Sequence, residues 1–263
     1  MARILTVPAI VRSSSPIGVR RIGAADLNWA LRAGWRDFQV RRGELVLLAL
    51  IYPAVAALTA AAAFDARILP LLFPAAAGLS LLGPAVASGF FELARRADAG
   101  LDAGWTHFLD PLRDERRWPL LALTGGLCVL FALWLGVAAA LYGAIMGPGD
   151  PTLDGFVRRM FTTPGGWSLI VLGNLAGLVF AALTLVLGLV SFPLVVDKGV
   201  DPVQAVGVSL AAAIDNPVAV AGWGLRVGAI LVLGALPACV GLAVAVPVLG
   251  YASWRLYTRL VAR

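Results

Sequence analysis

The chain has 263 residues, 60% of them hydrophobic and only 14% charged, against about 45–50% and about 25% in soluble globular domains. A water-soluble core cannot absorb so much apolar sequence, and the apolar residues fall in runs near or above the roughly 20 residues that cross a hydrocarbon core of about 30 Å. The net charge of +6 does not point to nucleic acid, because the basic residues collect in the N-terminal tail and beside apolar runs, where an anionic leaflet holds them.

Residues 1–22 read as a tail. The apolar stretch Leu5 to Val11 is interrupted by Pro8 and followed by Ser13, Ser14 and Ser15, so no cleavable signal is expected there. Residues 23–263 read as a single all-α domain, a polytopic transmembrane helical bundle of about six spans near 44–63, 68–91, 118–142, 167–192, 218–236 and 239–256. As one helix, 218–256 would measure about 58 Å, nearly twice the core thickness. Gly234, Pro237 and Gly241 supply a break, since proline removes a backbone donor and clashes with the preceding turn. A tight hairpin is the preferred reading; a re-entrant segment with five spans is the alternative. Tryptophan favours the headgroup boundary, and seven of the eight lie at span ends or in flanking segments, with Trp134 alone mid-span.

Short amphipathic stretches precede four of the spans, each followed by a glycine or proline break. The first carries Leu27, Leu31, Trp35 and Phe38, then Gly43; the second Leu101, Trp105, Phe108 and Leu109, then Pro111. The third carries Leu153, Phe156, Val157, Met160 and Phe161 before Pro164, and the fourth Val203, Val206, Leu210 and Ile214 before Pro217. At a period of 3.6 such stripes predict interfacial helices with the apolar face in the bilayer. A shift of 163 residues superposes Gly78, Leu79, Pro84, Leu93 and Arg96 on Gly241, Leu242, Pro247, Leu256 and Arg259, a faint duplication of the two ends.

The motifs of chemistry are missing. One histidine, His107, cannot build a two- or three-histidine metal site. Cys128 and Cys239 lie inside apolar runs and form no CxxC pair. No P-loop, GxSxG, HExxH or GxGxxG pattern occurs. No catalytic, metal or cofactor-binding residue is therefore assigned, and the chain is expected not to be an enzyme. The candidate intramembrane polar positions are Arg226, some eight residues into the fifth span, and Asn174 in the fourth. Arginine there costs about 2.5–3.5 kcal/mol on insertion scales. It either snorkels to the near face, pairs with Glu92, Asp197 or Glu44, or lines a polar cavity with Asn174, Ser80 and Ser191. Asn174 is expected to make an interhelical hydrogen bond.

The strings GWRDF (Gly34 to Phe38), LLGP (Leu81 to Pro84), TTPGGW (Thr162 to Trp167), SFPLVVD (Ser191 to Asp197), Asn216-Pro217 and VAVPVLGYASWRLY (Val244 to Tyr257) resemble an uncharacterised family of bacterial integral membrane proteins, a domain of unknown function. Some relatives carry the label of a cytochrome c oxidase subunit. With His107 alone, that resemblance implies an accessory role at most, because the catalytic subunit needs histidines for its metals. The expected function is a non-enzymatic accessory, assembly or scaffold protein of the inner membrane, with the lipid bilayer and other inner-membrane proteins as partners and no nucleic acid. A small-solute transporter is the alternative.

Orientation follows from charge. If both termini share one side, that side carries 17 of the 21 basic residues; Arg67, Arg158 and Arg159 lie opposite and Arg226 lies within a span. The crowded side is expected to be cytoplasmic. Topology reporters fused after Arg67 or Arg159 should therefore report the periplasm, and those after Asp102, Lys198 or Arg263 the cytoplasm. A periplasmic C-terminus would refute six spans.

Overall fold

The computed structural model describes residues 17–49, 74–75, 78, 80–147, 153–237 and 240–262, the side chains of 41–49 and 153 excepted. Most of the first expected span and the start of the second lie outside these residues, as do the hairpin between them, the tail 1–16 and Cys239. The helices are α1 (Ala24–Ala49), α2 (Gly83–Asp98), α3 (Arg117–Ile145), α4 (Leu153–Thr162), α5 (Pro164–Gly188), α6 (Ser191–Lys198), α7 (Pro202–Asp215), α8 (Pro217–Ala235) and α9 (Leu242–Leu260), with 3-10 turns at Ser80–Leu82 and Trp105–Leu112. Among the described residues there is no strand; Val19 and Val261 form one isolated antiparallel bridge. The all-α expectation holds.

Among the described residues three stretches are long and apolar enough to cross a membrane: Arg117–Ile145, Pro164–Lys198 and Pro217–Ala235. They carry the expected third, fourth and fifth spans. Prolines set two of the starts, since a missing N–H costs nothing in the first helical turn: Pro164 opens α5 and Pro217 opens α8. At the first of these the Thr163 hydroxyl caps the helix by accepting from the Gly166 N–H at 3.0 Å.

The sixth expected span differs. The hairpin is present, and Gly234 and Gly241 meet so closely that a Cβ on Gly241 would lie 2.7 Å from the Gly234 carbonyl oxygen. The returning helix α9, however, is not among the three membrane-length apolar helices. Its second half bears Arg255 and Arg259 and is enclosed by protein, with Tyr251, Ala252, Trp254, Leu256, Tyr257 and Leu260 fully buried. The described part of the second span is likewise interior: Phe90, Phe91, Leu93 and Ala94 of α2 are buried. The duplication does not extend to local structure, because Pro84 sits in the first turn of α2 whereas Pro247 lies inside α9.

The core gathers at one end of the long helices. It joins the starts of α3 (Leu120, Leu123, Leu127) and α8 (Ala219, Val220, Trp223) with α6, α7 and the second half of α9. Away from it, α3 exposes Val129, Leu133 and Val137, and α5 exposes Val171, Leu175 and Leu178, the surface that lipid covers. Ser209 staples the bend between α5 and α6, donating to the Val186 carbonyl at 2.7 Å and accepting from the Val190 N–H at 3.1 Å. Buried Asn216 ties the N-terminal segment to the start of α8: its Oδ1 accepts from the Ile22 N–H at 2.8 Å and its Nδ2 donates to the Arg20 carbonyl at 3.2 Å.

The amphipathic stretches turn the other way from a soluble protein's logic. In α1 the buried residues are Leu27, Ala30, Ala33 and Gly34, while Trp35 is 45% exposed. In α7 they are Ala205, Val208, Ser209, Ala212 and Ala213, while Val203 and Ile214 are exposed. Most of the buried positions are small, beside Leu27 and Val208, because small residues allow the close backbone approach that drives helix association where the surroundings are already apolar. Two local expectations are corrected. Helix α1 runs through Gly43 to Ala49 without the expected break, its packing on α9 over the preceding turns outweighing one residue's cost of about 1 kcal/mol. The second stretch is a 3-10 helix, with Pro111 inside it.

One close backbone contact joins α1 to α9: a Cβ on Gly34 would lie 2.5 Å from the Ala252 backbone nitrogen. Backbone cannot yield as a flexible side chain can, so Gly34→Val should lower the thermal midpoint of the detergent-solubilised protein by many degrees, through strain of at least 1–3 kcal/mol as an order of magnitude. Gly136→Ala, where nothing lies within 4 Å, should leave the midpoint unchanged or slightly raised.

Candidate functional site

The polar residues of the core end form a cage around one carboxylate. Glu92 follows Phe90 and Phe91 on α2 and is itself fully buried. Arg95, one turn on, grips it with two bonds, Nε to Oε2 at 2.9 Å and Nη2 to Oε1 at 2.7 Å. Arg116, arriving from the loop before α3, donates through Nη1 to Oε2 at 2.7 Å and to the Val196 carbonyl at 2.8 Å. Arg96 stands at 4.0 Å on the same carboxylate. Burial pushes the Glu92 carboxyl up, but the hydrogen bonds from Arg95 and Arg116, and then their charges, outweigh it and hold it below the ordinary carboxylate value. Asp114, bound at 2.6 Å, orients Arg116 from its other edge.

Around this cage α1, α2, α6 and α9 are tied to one another. Arg255 of α9 reaches Asp37 of α1 at 2.6 Å and Asp98 of α2 at 2.7 Å. The Trp254 indole N–H also donates to Asp98, at 3.0 Å, and the Tyr257 hydroxyl donates to Asp197 of α6 at 2.7 Å. The single histidine belongs to the rim. His107 Nδ1 lies 2.7 Å from Asp110, and Nε2 lies 3.2 Å from Asp102 and 3.3 Å from Arg96. On the other side of this segment Leu101, Trp105, Leu109 and Leu112 are exposed.

Neither candidate from the sequence belongs to the cage. Arg226 is half-buried; it donates to the Gly222 carbonyl at 2.9 Å and to Asn28 Oδ1 at 3.2 Å, turning back toward the start of its helix as a snorkelling side chain does. Glu92 and Asp197 are engaged elsewhere, and the side chain of Glu44 lies outside the described residues. Asn174 is exposed, and its amide donates to the Ile170 carbonyl one turn back at 2.7 Å, a bond within its own helix and not between helices. Short polar side chains satisfy themselves this way on a helix surface. Arg226 and Asn174 are not brought together.

Among the described residues no three His, Cys, Asp or Glu side chains are placed to hold a metal ion. One hollow, of about 260 Å³, is lined by Arg113, Asp114, Glu115, Arg117 and Trp118, and another, of about 210 Å³, by apolar residues of α5, α7 and α8. The spacing Glu92, Arg95, Arg96 is the i, i+3, i+4 signature of a helix ion pair, so half of the cage was readable from the sequence. Arg116, 24 residues further on, was not.

Residues 72–197 match the family model described as predicted integral membrane protein (DUF2189). Over that stretch the likeness to an integral membrane family of unknown function is established. The DUF2189 region contains Glu92, Arg95, Arg96 and Arg116, so the cage lies within it, and also the strings LLGP, TTPGGW and SFPLVVD. GWRDF, Asn216-Pro217 and the long string in α9 fall outside it. No curated protein and no solved structure matches the chain.

Removing one partner from a buried ion cluster costs about 3–5 kcal/mol, because the remaining charges stay buried. Glu92→Gln should therefore lower the thermal midpoint sharply at neutral pH. Since the folded carboxyl lies below its ordinary value of 4.5, its contribution is complete above that pH and is lost as pH falls through the depressed folded value. Wild type should hold its midpoint down to about pH 4.5 and lose it below, with the variant less sensitive to acid. A midpoint within two degrees of wild type at pH 7, on the order of measurement error, would contradict the cage.

Proposed function

We propose that this integral membrane protein is a non-enzymatic accessory, assembly or scaffold protein of the bacterial inner membrane, with both termini in the cytoplasm and with other inner-membrane proteins as its partners. One observation carries the reading: the carboxylates gathered at the core end, Glu92, Asp37, Asp98 and Asp197, are engaged in ties between its own helices. The outward faces of α3 and α5, by contrast, present apolar and small side chains, among them Gly125, Gly136 and Gly173, with open space where a Cβ would stand. Such faces suit contact with neighbouring helices. The cytoplasmic placement of the core end rests on the basic residues beside it, Arg95, Arg96, Arg113, Arg116 and Arg117. The label of a cytochrome c oxidase subunit carried by some members of the family it resembles makes respiratory complexes the first to assay. Transport finds less support, because it would gather Arg226 and Asn174 into one polar cavity, and they stand apart.

Mild detergent extraction of the tagged protein from its native membrane should recover one or more inner-membrane proteins in stoichiometric amount. Protein recovered alone, with a thermal midpoint that rises several degrees with one small solute, as saturating ligands produce, would overturn the reading in favour of transport.

A further inference from the structure

Arg226 stands on α8, a helix long and apolar enough to cross a membrane. Its two hydrogen-bond acceptors, the Gly222 carbonyl and the Asn28 amide oxygen, are both neutral. Among the described residues no carboxylate lies within ion-pair distance of it, every such oxygen near an arginine belonging to Arg95, Arg96, Arg113, Arg116, Arg255 or Arg259. A guanidinium at the edge of a hydrocarbon layer keeps its charge and needs a counter-charge.

The face of α1 that meets Arg226 does not supply one. Asn28, Arg32 and Arg36 follow one another at single turns, all exposed, with Trp35 beside them. The two acidic residues of α1 with described side chains turn elsewhere: Asp37 pairs with Arg255, and Asp26 accepts from the Gly23 N–H and approaches Arg259. This strip is therefore basic. Beside Arg226 on α8, Leu225 is exposed, and Val232 and Leu233, further into the span, are exposed as well, as expected of a surface that lipid chains cover. An indole at headgroup depth, cations with neutral hydrogen-bond partners, and an apolar wall below them match the parts of one phospholipid molecule.

We propose that Arg226, Asn28, Arg32 and Arg36 bind the headgroup of an anionic phospholipid, whose acyl chains run over Leu225, Val232 and Leu233. The counter-charge of the half-buried arginine is then the lipid phosphate, and the α1–α8 contact through Asn28 is completed by lipid. A soluble anion fits less well, since the strip lies on an open surface beside exposed apolar residues and has no enclosing wall.

The full-length protein in mixed micelles or nanodiscs tests this with spin-labelled phosphatidylglycerol and phosphatidylcholine as probes. Wild type should select phosphatidylglycerol several-fold at low salt and lose that preference as salt rises. Arg226→Gln should reduce the selectivity roughly fivefold, the effect of about one interfacial cation. Arg32→Gln with Arg36→Gln, both at exposed positions whose loss leaves the fold intact, should reduce it as well. Equal binding of the two lipids by wild type, or selectivity unchanged in both variants, would overturn the proposal. So would inorganic phosphate or glycerol phosphate reproducing, in phosphatidylcholine alone, the thermal stabilisation given by phosphatidylglycerol, which would assign the strip to a soluble anion.

Discussion

Among the described residues Glu92 is the one charged side chain that is fully buried, and the surrounding helices are arranged to answer it. The carboxylate is 1% exposed as a side chain and takes strong bonds from Arg95 and Arg116. Taking such a group out of water costs several kcal/mol, which only well-placed partners offset. Arg116 offsets it from a segment remote in sequence, and in doing so fixes the entry of α3. By donating also to the Val196 carbonyl, it reaches the end of α6. Three elements are thereby held by a single guanidinium, whose planar fork can serve several acceptors at once, as an ammonium could not.

From this point the rest of the core end follows a consistent rule. Charges and aromatic handles fix register, and small residues provide approach. Asp98 receives both the Trp254 indole and Arg255, so the α2–α9 register is set by two donors on consecutive residues of α9. Arg255 then extends to Asp37, one turn beyond the Gly34 contact with Ala252. Electrostatic ties of this kind gain specificity more than net stability, while the seam of Ala30, Ala33 and Gly34 gains dispersion contacts that larger side chains would prevent. Function, on this account, is left to the outward surfaces: lipid at the basic strip of α1, and neighbouring proteins on the long apolar helices.

Helix limits were legible in the sequence where a local device sets them. Pro164 and Pro217 start their helices, Gly234 and Gly241 form the hairpin, and the apolar runs of the third to fifth spans appear with little displacement. What was not legible depended on which face of a helix meets protein. Of the stripe Leu27, Leu31, Trp35, Phe38, which is the apolar face of α1 by periodicity, Leu27 is buried and Leu31 and Phe38 pack against the core, while Trp35 is exposed and Ala30, Ala33 and Gly34 are buried beside it. Periodicity finds the apolar face, but not the small residues on its flank that let another helix approach. Helix α9, on which the sixth expected span falls, combines an apolar first half with a second half that Arg255, Trp254 and Tyr257 tie to neighbouring helices, a pairing that its hydropathy does not reveal. Of the site, the pair within α2 was readable from its spacing; the partner from the α3 loop needed the fold.

If Glu92 and Arg116 act as one unit, a double-mutant cycle will show it. Glu92→Gln, Arg116→Met and the double variant would be compared with wild type by thermal unfolding in the same detergent. Strong coupling is expected: each single change strands a buried charge, whereas the double change removes both, so its loss should be smaller than the sum of the two by an amount on the order of 1–3 kcal/mol. Losses that simply add would show instead that the two groups stabilise the protein independently and that the cage is not a unit.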